Sequence, residues 1–158
     1  MKKLTAICAL LGAMLMVAPR PSYAFLDKTR FATDLGVAFF AFHHWVLTPY
    51  KNGAFAAGAP HRTAALVKGG AALLFAVNRV KAAENIANNS KSPTLQALIR
   101  PIHGMEAAFA AIGTRLKGGA YKSGDVSALD DVVKGVGTKS SAAGLPINDV
   151  AMALPSGN

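Results

Sequence analysis

The chain has 158 residues, of which 17 are Lys or Arg and 8 are Asp or Glu, so its formal net charge is +9. A chain of this length forms one domain, which excludes a TIM barrel, a doubly wound dinucleotide-binding fold and any multi-domain enzyme. It is also long enough to bury a hydrophobic core without disulfides or structural metals.

The first 24 residues have the pattern of a signal peptide. Lys2 and Lys3 precede an apolar run over residues 4–17, and the stretch after it ends in Ser-Tyr-Ala at 22–24, the small-x-small pattern of a signal-peptidase site. We expect cleavage after Ala24 and a secreted or periplasmic protein that is soluble once the signal is removed. The mature chain of 134 residues would keep 14 of the 17 basic and all 8 acidic residues, a net charge of +6.

Cysteine content and hydropathy agree with export. The only cysteine, Cys8, lies inside the predicted signal, so the mature chain has no disulfide, thiolate metal site or cysteine nucleophile. The longest apolar stretches after the signal, residues 35–47 and 71–77, are far shorter than the roughly 20 residues that a transmembrane helix needs. We therefore expect no transmembrane segment after signal cleavage.

The fold class follows from composition and periodicity. Alanine, the strongest helix former, supplies 26 of the 134 mature residues, and no stretch shows the sustained alternation of a β-strand. We predict an all-α fold, a small bundle of about four helices at residues 25–137. It follows the signal peptide (1–24) and precedes an irregular, partly ordered C-terminal tail (138–158).

The first predicted helix covers residues 27–48 and is apolar on two sides. One stripe has spacings of three and four residues: Phe31, Leu35, Ala38, Phe42 and Trp45. A second set on this helix forms the candidate partner-binding surface: Val37, Phe40, His43, His44 and Leu47. Such a helix is either the central helix of the bundle or the site where a partner or a second copy of the chain docks. Pro49 should end it at Thr48, since the residue before proline is pushed out of the helical region.

A loop over residues 49–60 should lead to a second helix at 61–88. The buried seam of this helix should contain Thr63, Leu66, Gly70, Leu73, Val77 and Val80. The pair Gly69 and Gly70 lies in mid-helix, where it costs roughly 2 kcal/mol of intrinsic helix propensity. Either a close approach by a neighbouring helix or a local kink would explain it.

The third predicted helix has the clearest boundaries, with Ser92 as N-cap, Pro93 at the first position and Gly118 just past the end. Between them lies an unbroken apolar stripe: Leu95, Leu98, Ile102, Met105, Phe109, Ile112 and Leu116. Pro101 does not shift the phase of this stripe, which predicts a kink and not two helices. A fourth helix should run from an Asp125 cap to Gly137, with one more turn or short helix near residues 147–154.

The histidines and carboxylates do not form a pattern typical of a metal site or of catalysis. The side chains of His43 and His44 diverge by about 100° on a helix, and His103 lies about 120° off the third stripe, beside Glu106. Spacings such as His-x-x-x-His, Cys-x-x-Cys-His and Gly-x-Ser-x-Gly are absent from the sequence. We therefore expect no catalytic residue, no cofactor and no metal site, and we do not expect an enzyme.

The basic residues form two candidate anion-attracting surfaces. Lys68 and Arg79, eleven residues apart, share one face of the second helix, whereas Arg115, Lys117 and Lys122 surround the end of the third. Neither group forms the dense basic stripe with interleaved aromatic residues that is typical of nucleic-acid-binding proteins, so we do not expect nucleic-acid binding. Attraction to an anionic envelope surface follows from the charge alone.

Together these features favour an exported, non-catalytic helical protein that binds a protein partner or the cell envelope through an apolar helix face and a basic surface. A homo-oligomer is one form that such binding would take. The alternative is a secreted or periplasmic carrier of a small apolar ligand or cofactor, which would need an internal void of a few hundred Å³ between the helices. Five aromatic residues would line that pocket: Phe39, Phe42, Trp45, Phe75 and Phe109.

Overall fold

The computed structural model describes residues 23–154, and within that range the chain forms helices, short connections and an extended C-terminal segment, without a strand. The predicted all-α bundle is confirmed, with four helices if the continuous stretch Tyr23–Lys51 counts as one. The predicted signal peptide lies outside the described residues, except for Tyr23 and Ala24, which begin the first helix.

The first helix continues through Pro49, where we expected it to end. It consists of α1 (Tyr23–Phe42), a π-helical turn (His43–Leu47) and α2 (Thr48–Lys51). The backbone N–H of Thr48 donates to the carbonyl of His43, five residues back. This wider turn leaves room for the proline ring, which would clash with the carbonyl four residues back in a regular α-helix.

The next two helices pack against each other along glycines. They are α3 (Arg62–Asn89) and α4 (Pro93–Lys117), and both match the predicted spans to within one residue at each end. A Cβ atom at Gly70 would lie 2.6 Å from the backbone nitrogen of Lys117 and 2.7 Å from the carbonyl oxygen of Gly113. The close approach of α4 therefore explains Gly70, whereas a Cβ atom at Gly69 would lie 3.3 Å from both the ring of Phe55 and the carbonyl oxygen of Trp45.

The predicted apolar stripes form the core. All seven residues of the α4 stripe are buried, and so are the members of the first-helix stripe from Phe31 to Phe42. In the α3 seam Thr63 is exposed and the other five residues are buried. Phe55, from the loop between α2 and α3, also enters the core and packs edge-on against Tyr121.

The last helix, α5 (Asp125–Ala142), continues five residues beyond Gly137, where we expected it to end. Two residues after its end lies Gly144, which has a left-handed φ of 75°. The hydroxyl of buried Ser140 donates to the carbonyl of Leu145, just after this turn. A glycine ends a helix only where a left-handed turn is completed, and the helix passes straight through Gly137. Residues 145–154 are extended and not helical, contrary to the expected extra turn.

Within the described range, α3 alone is long and apolar enough to cross a membrane by length and composition, with a mean hydropathy of 1.2 over its most apolar 18 residues. We did not expect a segment of this kind, because the longest apolar run that we counted in α3, residues 71–77 after Lys68, is far shorter than a membrane span. In the bundle α3 packs against both α1 and α4. A buried core helix has the same composition as a membrane span, so this property alone does not distinguish the two.

Candidate functional site

The first turns of α1 hold large hydrophobic side chains that face solvent. Tyr23, Phe25 and Leu26 are 87%, 65% and 44% exposed, whereas Phe31 is fully buried. The core thus begins at Phe31, and the turns before it have few neighbours to cover them. If the signal is cleaved after Ala24, Phe25 and Leu26 become the first two residues of the mature protein.

Basic side chains surround this exposed end of the bundle. Lys28 and Arg30 follow on α1, and Lys91, in the α3–α4 connection, lines a cleft together with Tyr23 and Asp27. None of these three cations lies within 4.0 Å of a carboxylate belonging to residues 23–154. We name this surface the basic apolar end; its members are Phe25, Leu26, Lys28, Arg30 and Lys91.

An open groove of about 440 Å³ lies beside the basic apolar end, between α1 and the C-terminal segment. Phe25 and Lys28 line it from α1, and Leu145, Pro146 and Val150 line it from the segment. The groove therefore connects the exposed ring of Phe25 with a largely apolar surface that has a lysine at its edge.

The C-terminal segment is attached to α1 at adjacent points. The N–H of Val150 donates to the carbonyl of Gly36 at 3.0 Å, and Oδ2 of Asp149 lies 2.8 Å from Nδ1 of His43. A Cβ atom at Gly36 would overlap the carbonyl oxygen of Asn148 and would lie 2.7 Å from a methyl of Val150. Docking of the segment, and hence the groove, depends on glycine at this position of α1.

The structure divides the candidate partner-binding residues of the first helix. Val37 is buried, Phe40 and Leu47 are half-buried, and the ring of exposed His44 stacks on Phe40 with centroids 5.0 Å apart. His43 is half-buried and contacts the C-terminal segment. The second apolar side of this helix is thus partly covered, and its role in partner binding stays a prediction.

The candidate anion-attracting residues of α3 have other contacts. Nη1 of Arg79 lies 3.3 Å from Oδ1 of Asp34, and Nζ of Lys68 lies 4.0 Å from the ring centroid of Trp45. Burial raises the pKa of Asp34 above its ordinary value, although the charge and hydrogen bond of Arg79 oppose this shift. Arg79 therefore balances a carboxylate of α1, and Lys68 covers an indole ring.

Arg115, at the end of α4, is also paired. Its guanidinium donates to both oxygens of buried Asp125, and the backbone N–H of Lys122 donates to the same carboxylate. Burial of Asp125 opposes its ionisation, but these hydrogen bonds and the charges of Arg115 and Lys122 outweigh it and hold the pKa of Asp125 below its ordinary value. Lys117 and the Lys122 ammonium form no ion pair within the described range.

The five aromatic residues expected to line a ligand pocket lie in different environments. Phe42 and Phe109 are fully buried and stack against each other at 6.0 Å. Phe39 is buried in the core and also forms part of an open surface groove of about 470 Å³ near α5. Trp45 and Phe75 are half-buried at the surface of the core, each under a basic side chain.

Three metal-ligating side chains meet between α3 and α4. Glu84 comes from α3, and His103 and Glu106 lie one turn apart on α4. A ligand atom from each of the three lies within 4.8 Å of the other two, and Nδ1 of His103 is 3.2 Å from Oε1 of Glu84. Spacing along one helix cannot reveal this cluster, because its members belong to two helices. The sequence shows only the His-x-x-Glu spacing of His103 and Glu106 on α4.

Comparison with protein-family models, with curated proteins and with solved structures finds no match to this chain. Two places have ligand chemistry: the basic apolar end, which suits an anionic amphiphile, and the Glu84, His103 and Glu106 cluster, which suits a cation.

Proposed function

We propose that this protein is exported, is not an enzyme and attaches to an anionic lipid surface of the cell envelope through its basic apolar end. The observation that supports this proposal is the exposure of Phe25 and Leu26 at the end of the bundle that also holds Lys28, Arg30 and Lys91, three cations without a carboxylate partner among residues 23–154. Exposed aromatic and aliphatic residues next to Lys and Arg are typical of surfaces that lie in the lipid interface.

The apolar part of this interaction is modest. Full burial of a Phe or Leu side chain is worth about 1.5 to 3 kcal/mol. Phe25 and Leu26 have 65% and 44% of their surface still to bury, so together they should contribute about 2 to 3 kcal/mol. The adjacent groove offers further apolar contact to an acyl chain.

The electrostatic part is of similar size. A Lys or Arg near an anionic leaflet contributes about 1 kcal/mol. Lys28, Arg30, Lys91 and the amino group that cleavage would create at Phe25 amount to about four charges, which Asp27 reduces to three. The total of about 5 to 6 kcal/mol corresponds to a dissociation constant of the order of 0.1 mM in accessible lipid, which describes reversible peripheral attachment.

The signal-like pattern at residues 1–24 supports export, and the ion pairs support a non-catalytic role. The carboxylates of Asp34, Asp125 and Asp149 contact basic partners that hold helices or the C-terminal segment in place. A structural role in these contacts accounts for the three carboxylates without a catalytic function.

Vesicle sedimentation tests the proposal. The mature chain, residues 25–158, would be mixed with sucrose-loaded vesicles of phosphatidylcholine, with or without phosphatidylglycerol, at up to about 2 mM lipid, a range set by the affinity above. We expect binding to the anionic vesicles, little binding to the neutral ones, and weaker binding as salt increases.

Two double variants and one single control variant locate the contact. Phe25→Ala combined with Leu26→Ala should weaken binding at least about tenfold, whereas Val67→Ala, at an exposed apolar residue on α3, should leave it unchanged. Lys28→Glu combined with Arg30→Glu should abolish binding to anionic vesicles. Circular dichroism would verify that each variant is folded.

The second basic group provides the competing explanation. If Lys117→Glu combined with Lys122→Glu abolishes vesicle binding and the Lys28 and Arg30 variant does not, the contact lies at the end of α4 and the proposed surface is wrong. Absence of binding to anionic vesicles would refute the lipid proposal and would favour a protein partner.

A further inference from the structure

We propose that Glu84, His103 and Glu106 form a binding site for a divalent transition-metal ion, with Zn²⁺ as the probe, between α3 and α4. This proposal is independent of lipid attachment, since none of the three residues belongs to the basic apolar end. Their ligand atoms already lie within 4.8 Å of one another.

The backbone positions of the three residues are well determined by packing. Ala83 on α3 and Ile102 and Met105 on α4, each adjacent in sequence to one of the three, are fully buried. The spacing of three residues between His103 and Glu106 puts both side chains on the same face of α4, toward Glu84 on α3. The helices thus bring the donors together without a loop, which favours a precise site.

The side chains can close around an ion by small rotations. Zn²⁺ binds nitrogen and oxygen at about 2.0 to 2.2 Å, so ligand atoms in a tetrahedral site lie about 3.4 Å apart. Nδ1 of His103 and Oε1 of Glu84 are 3.2 Å apart, which already fits. The ring of His103 is 70% exposed and can turn, whereas Glu84 and Glu106 are only 19% and 17% exposed.

The donor set and the local charge also favour a divalent cation. One imidazole nitrogen and two carboxylate oxygens suit zinc and its neighbours in the first transition row, and a water would complete the coordination. One ammonium, that of Lys81, lies 3.6 Å from Oε1 of Glu106. The two carboxylates and this one lysine together carry a net charge of −1, in a chain whose overall charge is +9.

Substitution of Lys81 distinguishes a metal site from an ordinary network of ion pairs. In a metal site its ammonium competes with the ion for Glu106, so Lys81→Ala should tighten zinc binding, by about sevenfold for a pair at this distance in water. In a network that needs Lys81 to hold the carboxylates in place, the same substitution would weaken any zinc binding.

The experiment is isothermal titration of the mature chain, residues 25–158, with Zn²⁺. The protein would be produced without a histidine tag. We expect one ion per chain and a rise in Tm of about 5 to 10 °C at a zinc concentration a hundred times Kd. His103→Ala and Glu106→Gln should each weaken binding at least about tenfold, and Lys81→Ala should strengthen it.

The matched control is His44→Ala, which removes another exposed histidine far along the chain and should leave zinc affinity unchanged. Circular dichroism without zinc would show that His103→Ala is folded, as expected for an exposed side chain. Absence of binding at 1 mM Zn²⁺ (roughly the weakest affinity of ordinary protein sites for divalent ions), full affinity in His103→Ala, or weaker binding in Lys81→Ala would each overturn the proposal.

Discussion

Substitution of Gly70 by alanine tests the close packing of α3 on α4. The new Cβ atom would lie 2.6 Å from the backbone nitrogen of Lys117, 2.7 Å from the carbonyl oxygen of Gly113 and 2.9 Å from Cβ of Lys117. Two of these atoms belong to the backbone of α4, so no rotamer change can relieve the overlap. The helices would have to separate by nearly 1 Å, the difference between 2.6 Å and an ordinary contact.

Two opposing effects set the magnitude. Replacing glycine by alanine inside a helix favours folding by about 1 kcal/mol. Overpacking of a tight interface costs about 1 to 3 kcal/mol and occasionally more, and contacts with backbone atoms belong at the upper end. The separation would also loosen the buried contacts of neighbouring Leu73 and Leu116. We predict a net loss of about 2 kcal/mol in the free energy of unfolding.

Gly104→Ala is the matched control, since Gly104 lies inside α4 and a Cβ atom there would meet nothing within 4 Å. This variant should gain about 0.5 to 1 kcal/mol from helix propensity alone. Urea denaturation of both variants and the unsubstituted protein, followed by circular dichroism, gives the two differences. If Gly70→Ala is as stable as Gly104→Ala, α4 does not approach α3 closely at this position.

Further substitutions test other contacts. Gly36→Ala should release the C-terminal segment without loss of helix, because a Cβ atom overlaps its backbone; limited proteolysis should then cut the segment faster, and unchanged rates would disprove the docking. Asp125→Asn should cost about 1.5 to 3 kcal/mol at pH 7. Because the folded-state pKa of Asp125 is lowered, the contribution of its carboxylate to the free energy of unfolding is present above the unfolded pKa and is lost as the pH falls through the folded value. The difference in stability between the unsubstituted protein and Asp125→Asn should therefore be smaller below about pH 4 than at pH 7. An equal difference at both pH values would contradict this. Met105→Ala should cost about 2 to 5 kcal/mol in chemical denaturation, and a negligible loss would argue against a packed stripe. Amino-terminal sequencing of exported protein should begin at Phe25, and a product that retains Met1 would remove the case for export.

The sequence predicts α4 well because the signals for it are local. Ser92 and Pro93 define its beginning, Gly118 lies just past its end, and the spacing of the stripe depends only on the geometry of a single helix. Pro101 does not disturb the prediction, since the stripe keeps its phase on both sides. All seven stripe residues are buried as expected.

The errors arise where tertiary contacts override local signals. Pro49 is accommodated by a π-helical turn that no residue pattern announced, and α5 passes Gly137 because buried Val136 and Ser140 pack on either side of it. In the sequence, Gly36 is a glycine inside a helix, which lowers helix propensity; in the structure, the C-terminal segment packs directly against it. For Gly36 the deciding neighbours, Asn148 and Val150, are more than a hundred residues away in the sequence.

The candidate sites were hidden for the same reason. Phe25 and Leu26 have the composition of core residues, and their exposure depends on where the other helices end. The ligand cluster needs Glu84 opposite His103 and Glu106, a register that only the packing of α3 against α4 defines. Conversely, Arg79 and Arg115 look like free cations in the sequence but face carboxylates from other elements.

The most direct test of lipid attachment places a fluorescent probe on the proposed surface. The only cysteine of the chain is Cys8, so the mature chain lets Leu26→Cys and Val67→Cys be labelled singly with an environment-sensitive dye. On addition of phosphatidylglycerol vesicles, we predict a blue shift for the dye at position 26, together with quenching by quenchers placed in the lipid chains, and no change at position 67. A shift at position 67 alone, or no shift at position 26, would contradict attachment through the basic apolar end.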